Sequence, residues 1–239
     1  MKRSEREPQA SGARLDSAAM WRWLRAVLLI GIAIAPLRAG SQMPPVDPRV
    51  PLGQLLELAF EENTVIAFDA QGGSIAQNLE LGEEVQWYGT QGAIGIVLTD
   101  RRILAVAANS GSFQEVRYRR GESAPGEALL GDRVAIVATS ERAVGFDGGS
   151  GNLIEYRFGP QESLVTASTG ANVVVVVTDR KLLGLSPFVG GFFPTPLFVR
   201  ERIVRINPSP NLVTVQTDHR YLTFRSDSTI WTELNRPLG

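Results

Sequence analysis

Cysteine is absent from the 239 residues, and histidine occurs once, at His219. Without cysteine there are no disulfides, no thiolate metal sites and no lipid-anchored N-terminal cysteine. A zinc site of the usual kind draws several ligands from His and Cys, and a single histidine argues against one. No cofactor is implied. Charge of either sign is not in excess: 24 basic and 25 acidic side chains leave a net charge of −1. The strong positive field of a nucleic-acid binder is therefore missing. So are nucleophile-elbow, phosphate-loop and metal-ligand motifs. After residue 60 no stretch shows a helical period.

What is present begins with an N-terminal segment unlike the rest. Residues 1–19 are polar and charged, and Arg22 and Arg25 then precede a 12-residue apolar run, Ala26 to Leu37. That run is short for a bilayer span but suits a signal-peptide core, with Ala39 as the cleavage residue. If it is retained, residues 26–37 form a short membrane tether instead. Either Met1 or Met20 serves as the start, and Met20 gives a signal of ordinary length. Removing residues 1–39 leaves 17 basic and 22 acidic side chains, net −5. The expected organisation is an N-terminal extension and signal over residues 1–39, a Pro-rich linker over 40–47, and one domain over 48–239. The expected location is periplasmic or extracellular.

The domain repeats. Four phrases align: LTDRRILAV (98–106), ATSERAVGF (138–146), VTDRKLLGL (177–185) and QTDHRYLTF (216–224). Anchored on Ile66, Leu104, Val144, Leu183 and Leu222, five units follow at spacings of 38, 40, 39 and 39. Two residues on, every unit is apolar again: Phe68, Val106, Phe146, Leu185 and Phe224. Within a unit, Val- and Ile-rich runs of strand length are separated by glycine-rich breaks such as QGGS (71–74) and NSGS (109–112). The second unit reads as strands over 85–89, 94–99, 102–107 and 113–119. The uniformly apolar NVVVVVTD (172–179) reads as a strand buried on both faces. Four strands per 40 residues is a propeller blade, so the sequence predicts an all-β, five-bladed β-propeller of four-stranded antiparallel blades. The first blade draws its early strands from Arg49–Phe60. Ring closure brings residues 48–53 to the C-terminal strand.

The stretch GFDGGSGNLIE (145–155) resembles the repeat of quinoprotein-like propellers, in which a strand ends in Asp, then a Ser/Thr-Gly turn, then an apolar position. AFDAQGGSIAQ (67–77) is similar in part, and Trp231 stands at the corresponding aromatic position of the last unit. The resemblance implies the propeller fold. A quinone-binding dehydrogenase needs a larger ring and cofactor ligands that this sequence does not carry. The fold-level likeness to exported propellers used in outer-membrane assembly implies a binding scaffold.

Charge also repeats. Arg102, Arg142, Lys181 and Arg220 stand two residues before their anchors, and Glu84, Glu122, Glu162 and Glu201 stand 18 residues after the preceding ones. The expected pairs are Glu84–Arg102, Glu122–Arg142, Glu162–Lys181 and Glu201–Arg220. A rival scheme joins each base to the following Glu but leaves Glu84 and Arg220 alone. Paired carboxylates stay ionised, which opposes a general-acid role. An axial carbohydrate-processing or other hydrolytic site, with Asp132 as its one nonrepeating acid, is thus the alternative, as is repeated sugar binding. Phe188 and Phe193, in the fourth unit, break the repeat and mark the candidate interaction patch. The sequence thus predicts an exported module for a protein partner or small ligand in the cell envelope.

Overall fold

The computed structural model describes residues 53–122 and 124–236, all within the unit Asp47–Gly239. The chain is an all-β, five-bladed β-propeller repeat protein. The first blade is β1 (Leu56–Glu61), β2 (Thr64–Asp69) and β3 (Ser74–Asn78). The second is β4 (Val85–Gln91), β5 (Ile94–Thr99), β6 (Arg102–Ala107) and β7 (Gln114–Arg117). The third is β8 (Leu129–Leu130), β9 (Val134–Ala138), β10 (Arg142–Asp147) and β11 (Asn152–Arg157). The fourth is β12 (Leu164–Thr169), β13 (Val174–Thr178), β14 (Lys181–Leu185) and β15 (Phe192–Pro196). The fifth is β16 (Ile203–Pro208), β17 (Leu212–Thr217), β18 (Arg220–Arg225) and β19 (Trp231–Asn235). Each blade is an antiparallel meander in chain order, joined by tight turns.

The expectation of four strands per blade meets one departure. Among the described residues the first blade has three, and β1 is the counterpart of β5, the second strand of its blade. Arg49–Leu52, the expectation about residues 48–52, the linker over 40–47 and everything assigned to 1–39 lie outside the described residues.

The repeat register has a packing cause. Each blade has two faces, and β-strand side chains alternate between them. The anchor and the residue two beyond it point toward the preceding blade. Leu104 and Val106 pack with Leu56, Val65 and Ala67, and Val144 and Phe146 with Ile96, Ala105 and Ala107. Leu183 and Leu185 pack with Val134 and Ile136, and Leu222 and Phe224 with Val175 and Val177. The opposite, trailing face carries a small residue beside the anchor: Ala67, Ala105, Gly145, Gly184. That hole receives the large residue of the next blade. A Cβ at Gly184 would stand 2.6 Å from the Phe224 ring. Knob and hole fix both register and spacing, and each buried knob contributes roughly 1.5–3 kcal/mol.

Gly184→Ala is therefore expected to lower unfolding stability by about 1–3 kcal/mol, the usual cost of overpacking a filled site. Thr223→Ala, the same position in the fifth blade, is expected to change it by less than about 1 kcal/mol because no blade packs into it among the described residues. Urea denaturation of the two variants checks both values.

Candidate functional site

The charged residues gather on one face of the disc, where each outer strand turns into the next blade's inner strand. Four turns share one geometry: Glu80–Glu83, Arg119–Glu122, Gly159–Glu162 and Phe198–Glu201. In each, the last N–H donates to the first C=O at 3.0 Å. The third residue has positive φ: Gly82 at 70°, Gly121 at 85°, Gln161 at 60° and Arg200 at 68°. That is the signature of a type II turn. The closing glutamate reaches back and accepts the first residue's N–H at 2.7–2.8 Å.

The same carboxylate accepts a threonine hydroxyl at 2.7–2.8 Å, from Thr99, Thr139, Thr178 or Thr217. Each threonine oxygen in turn accepts the N–H groups two and three residues on, closing the turn before the anchor strand. Arg102, Arg142 and Arg220 complete the cluster. Nε and Nη2 grip both carboxylate oxygens at 2.7–3.0 Å. Nη2 also donates to a carbonyl of the preceding blade, at Asn78, Arg117 or Pro196. Nη1 bridges to an outer-strand glutamate: Glu115, Glu155 or Glu233. One guanidinium thus ties four chain segments. Only a planar five-donor fork can do this.

Arg102 is paired with Glu83, one residue before the expected Glu84, which is exposed and instead gives its N–H to Asp100. Counting forward from Ile66 misplaced it, because the 38-residue spacing of the first two units shortens the segment before the turn. The glutamate must close the turn, and its distance to the base (19, 20, 19 and 19 residues) is the better guide. The structure brings Glu122 to Arg142, Glu162 to Lys181 (3.1 Å) and Glu201 to Arg220. The fourth blade departs from the rule coherently. Pro194 stands where the others have Glu115, Glu155 and Glu233, leaving no outer carboxylate. There the base is Lys181, which also donates to Tyr156 at 2.9 Å and is 26% exposed, against 2–4% for the arginines.

Burial alone would raise the pKa of Glu83, Glu122, Glu162 and Glu201. The hydrogen bonds from base, threonine and backbone outweigh it, and all four are held below the ordinary carboxylate range. At the rim, Glu80 is held at about 2 by Arg117 and Arg101. These carboxylates are ionised at any physiological pH and serve as acceptors, not as proton donors.

Phe193 is half-buried and stacks on Phe224 with centroids 5.9 Å apart, as part of the seam between blades four and five. Phe188 lies in a turn on the other face and is 38% exposed, so the two do not form one exposed patch. Asp132 is buried and accepts from Gln91 at 3.3 Å. His219 is exposed, 3.7 Å from Asp218. Trp87 packs into the second seam, whereas Tyr88 is exposed against Phe60, centroids 4.6 Å apart.

The sequence reading passed over one segment. In the turn before the fifth blade Val199 is 92% exposed and Phe198 is 55% exposed, held face-on over the Arg220 guanidinium at 3.8 Å. Arg200 and Arg202 follow them, exposed and in no ion pair among the described residues. Its place in the repeat can be read from FVRER, whose counterparts are Glu80-Leu81, Arg119-Arg120 and Gly159-Pro160, but the exposure of the hydrophobic pair cannot.

No protein-family model matches the chain, and no curated protein matches it significantly. Solved structures do show likeness. The yeast RCC1 protein Prp20, solved bound to Kap60, aligns at 12% identity and a TM-score of 0.39 over 72% of this chain and 54% of that one. AztD from Citrobacter koseri aligns at 13% and 0.38 over 75% and 59%. Hsv2 of Kluyveromyces lactis aligns at 12% and 0.38 over 78% and 70%. The chain thus spans little more than half the length of the first two.

Two outcomes are expected of the clusters. Arg142→Met strands the buried Glu122 and should cost about 3–5 kcal/mol, whereas replacing both partners together should cost far less. Because the glutamates' folded pKa values lie below their unfolded ones, their contribution is complete above the unfolded carboxylate pKa. It is lost as pH falls through the folded values. Stability measured from pH 7 downward should decline in that acid window, more steeply for wild type than for the Glu122→Gln/Arg142→Met double variant.

Proposed function

We propose that the chain is a binding module of the cell envelope that holds a protein partner on its charged face, at Phe198, Val199, Arg200 and Arg202. The observation that carries this reading is the contrast between that tip and the rest of the face. The four buried glutamates and their bases satisfy one another, leaving the repeat no charge to spend on a ligand. Leu81, at the matching position of the first such turn, is equally exposed, but the charges beside it, Glu80 and Arg101, pair with each other; among the described residues only the Val199 tip adds an aromatic ring fixed over a guanidinium and two arginines outside any ion pair. Aromatic and arginine side chains are the residues that anchor protein interfaces, and a prefixed ring loses little entropy on binding. Export is supported by Arg22, Arg25 and the apolar run Ala26–Leu37. The absence of cysteine is compatible with any compartment.

Crosslinking in native envelopes followed by mass spectrometry tests it. A specific partner is expected with wild type and with Phe188→Asp, and its loss is expected with Val199→Asp/Arg202→Glu while circular dichroism is unchanged. A partner retained by the tip variant, or none with wild type, overturns the assignment.

A further inference from the structure

Four buried clusters join the five blades, one at each of the seams 1/2, 2/3, 3/4 and 4/5. Among the described residues none joins the fifth blade to the first. The positions that would face that seam show why. On leading faces, the second-strand sites are Gly95 and Val97, Ala135 and Val137, Val174 and Val176, Val213 and Val215. In the first blade they are Glu57 and Ala59. On trailing faces they are Leu56 and Leu58, Ile94 and Ile96, Val134 and Ile136, Val173 and Val175. In the fifth they are Leu212 and Thr214, with Gln216 beyond. The hole beside the anchor is filled there by Thr223, whose hydroxyl lies 3.3 Å from that of Thr214. The knob opposite, Phe68, is 47% exposed, whereas Val106, Phe146, Leu185 and Phe224 are 0–1% exposed.

Both end faces are thus mixed rather than dry, and they are complementary. The first blade's face presents Ile66 and Phe68 between Glu57 and Glu61. The fifth presents Leu212, Tyr221 and Leu234 beside the exposed Arg205, which shares the face with Gln216, and Arg225, which also holds Asp227. Within this molecule every other leading face is covered by a trailing face of the preceding blade. We infer that a second copy of the chain supplies the missing cover, its fifth blade docking on the first blade of its neighbour in a head-to-tail contact. Mixed polarity suits such an interface: surfaces between chains carry polar and charged groups that an intrachain core excludes. A heterologous contact of this kind forms either a closed ring of copies or an open chain of them. This inference is independent of the partner surface proposed above, because it uses the opposite ends of the blade stack.

The cysteine-free sequence offers a clean test. Ala59 and Thr214 are the counterparts of Val137, Val176 and Val215, and of Ile96, Ile136 and Val175, which share a buried cluster at seams 2/3, 3/4 and 4/5. Full-length chain carrying Ala59→Cys is mixed with differently tagged chain carrying Thr214→Cys and oxidised. A disulfide-linked heterodimer is expected on non-reducing gels. Wild-type chain is expected to run as a dimer or larger in light scattering, and Phe68→Asp is expected to shift it to monomer with an unchanged circular dichroism spectrum. Should Phe68→Asp misfold, Arg205→Glu is expected to weaken association and Glu57→Arg on the other copy to restore it. A monomer at all concentrations overturns the inference. So does a disulfide that forms only within one chain carrying both cysteines, since the ring would then close on itself.

Discussion

The contact that everything else depends on is the seam between one blade's anchor face and the trailing face of the blade before it. A four-stranded sheet with apolar residues on both faces buries neither by itself. Stacking buries both at once, and the 38–40-residue period is the length of chain needed to build one sheet and present it at the right angle to the last. Glycine or alanine beside each anchor is therefore as much a part of the repeat as the large residue that fills it. Periods of this kind persist because every unit faces the same packing problem.

The ion-paired clusters answer a second problem that stacking creates. Turning the chain from a blade's outer edge to the next blade's inner edge leaves backbone groups and a buried carboxylate at each junction. A lone buried carboxylate is costly, and a lone guanidinium equally so. The arginine fork satisfies both while tying the turn, the anchor strand, the outer strand and the preceding blade. Lys181 shows the rule by exception: with Pro194 removing the outer carboxylate, one donor site fewer is needed, and a lysine supplemented by Tyr156 suffices. The Phe198–Arg202 tip projects from one of these junctions, the turn that Glu201 closes and Arg220 holds.

How much of this was legible depended on whether a feature repeats. Leu104, Val144, Leu183 and Leu222 announce themselves by spacing, and β5, β6, β13 and β14 followed from them. The pairing of Glu122, Glu162 and Glu201 with their bases was also readable, because spacing and chemistry agreed. Glu83 was not, since two adjacent glutamates fit the pattern and only the turn geometry chooses the one that closes it. Phe193 looked like a departure because outer-strand register is weakly marked in sequence; in the fold it stacks on Phe224. The tip at Val199 was hidden by its neighbours: FVGGFFPTPLFV reads as uniformly apolar, and only exposure separates Phe192 in the core from Phe198 at the surface.

The end faces carry the subtlest part of the code. Glu57 and Thr214 are unremarkable polar residues until each is compared with its own counterparts, where four other blades place Gly, Ala or Val and four place Leu, Ile or Val. Repeat proteins with free ends commonly polarise their terminal units, because an apolar end face would invite unlimited stacking. This chain polarises both ends only in part, keeping Ile66 and Phe68 at one and Leu212 and Leu234 at the other. A fully polar end would stay bare and a fully apolar one would seal as a fifth core. The intermediate composition, with acid on one end and arginine on the other, is the chemistry of a contact made reversibly and in one orientation.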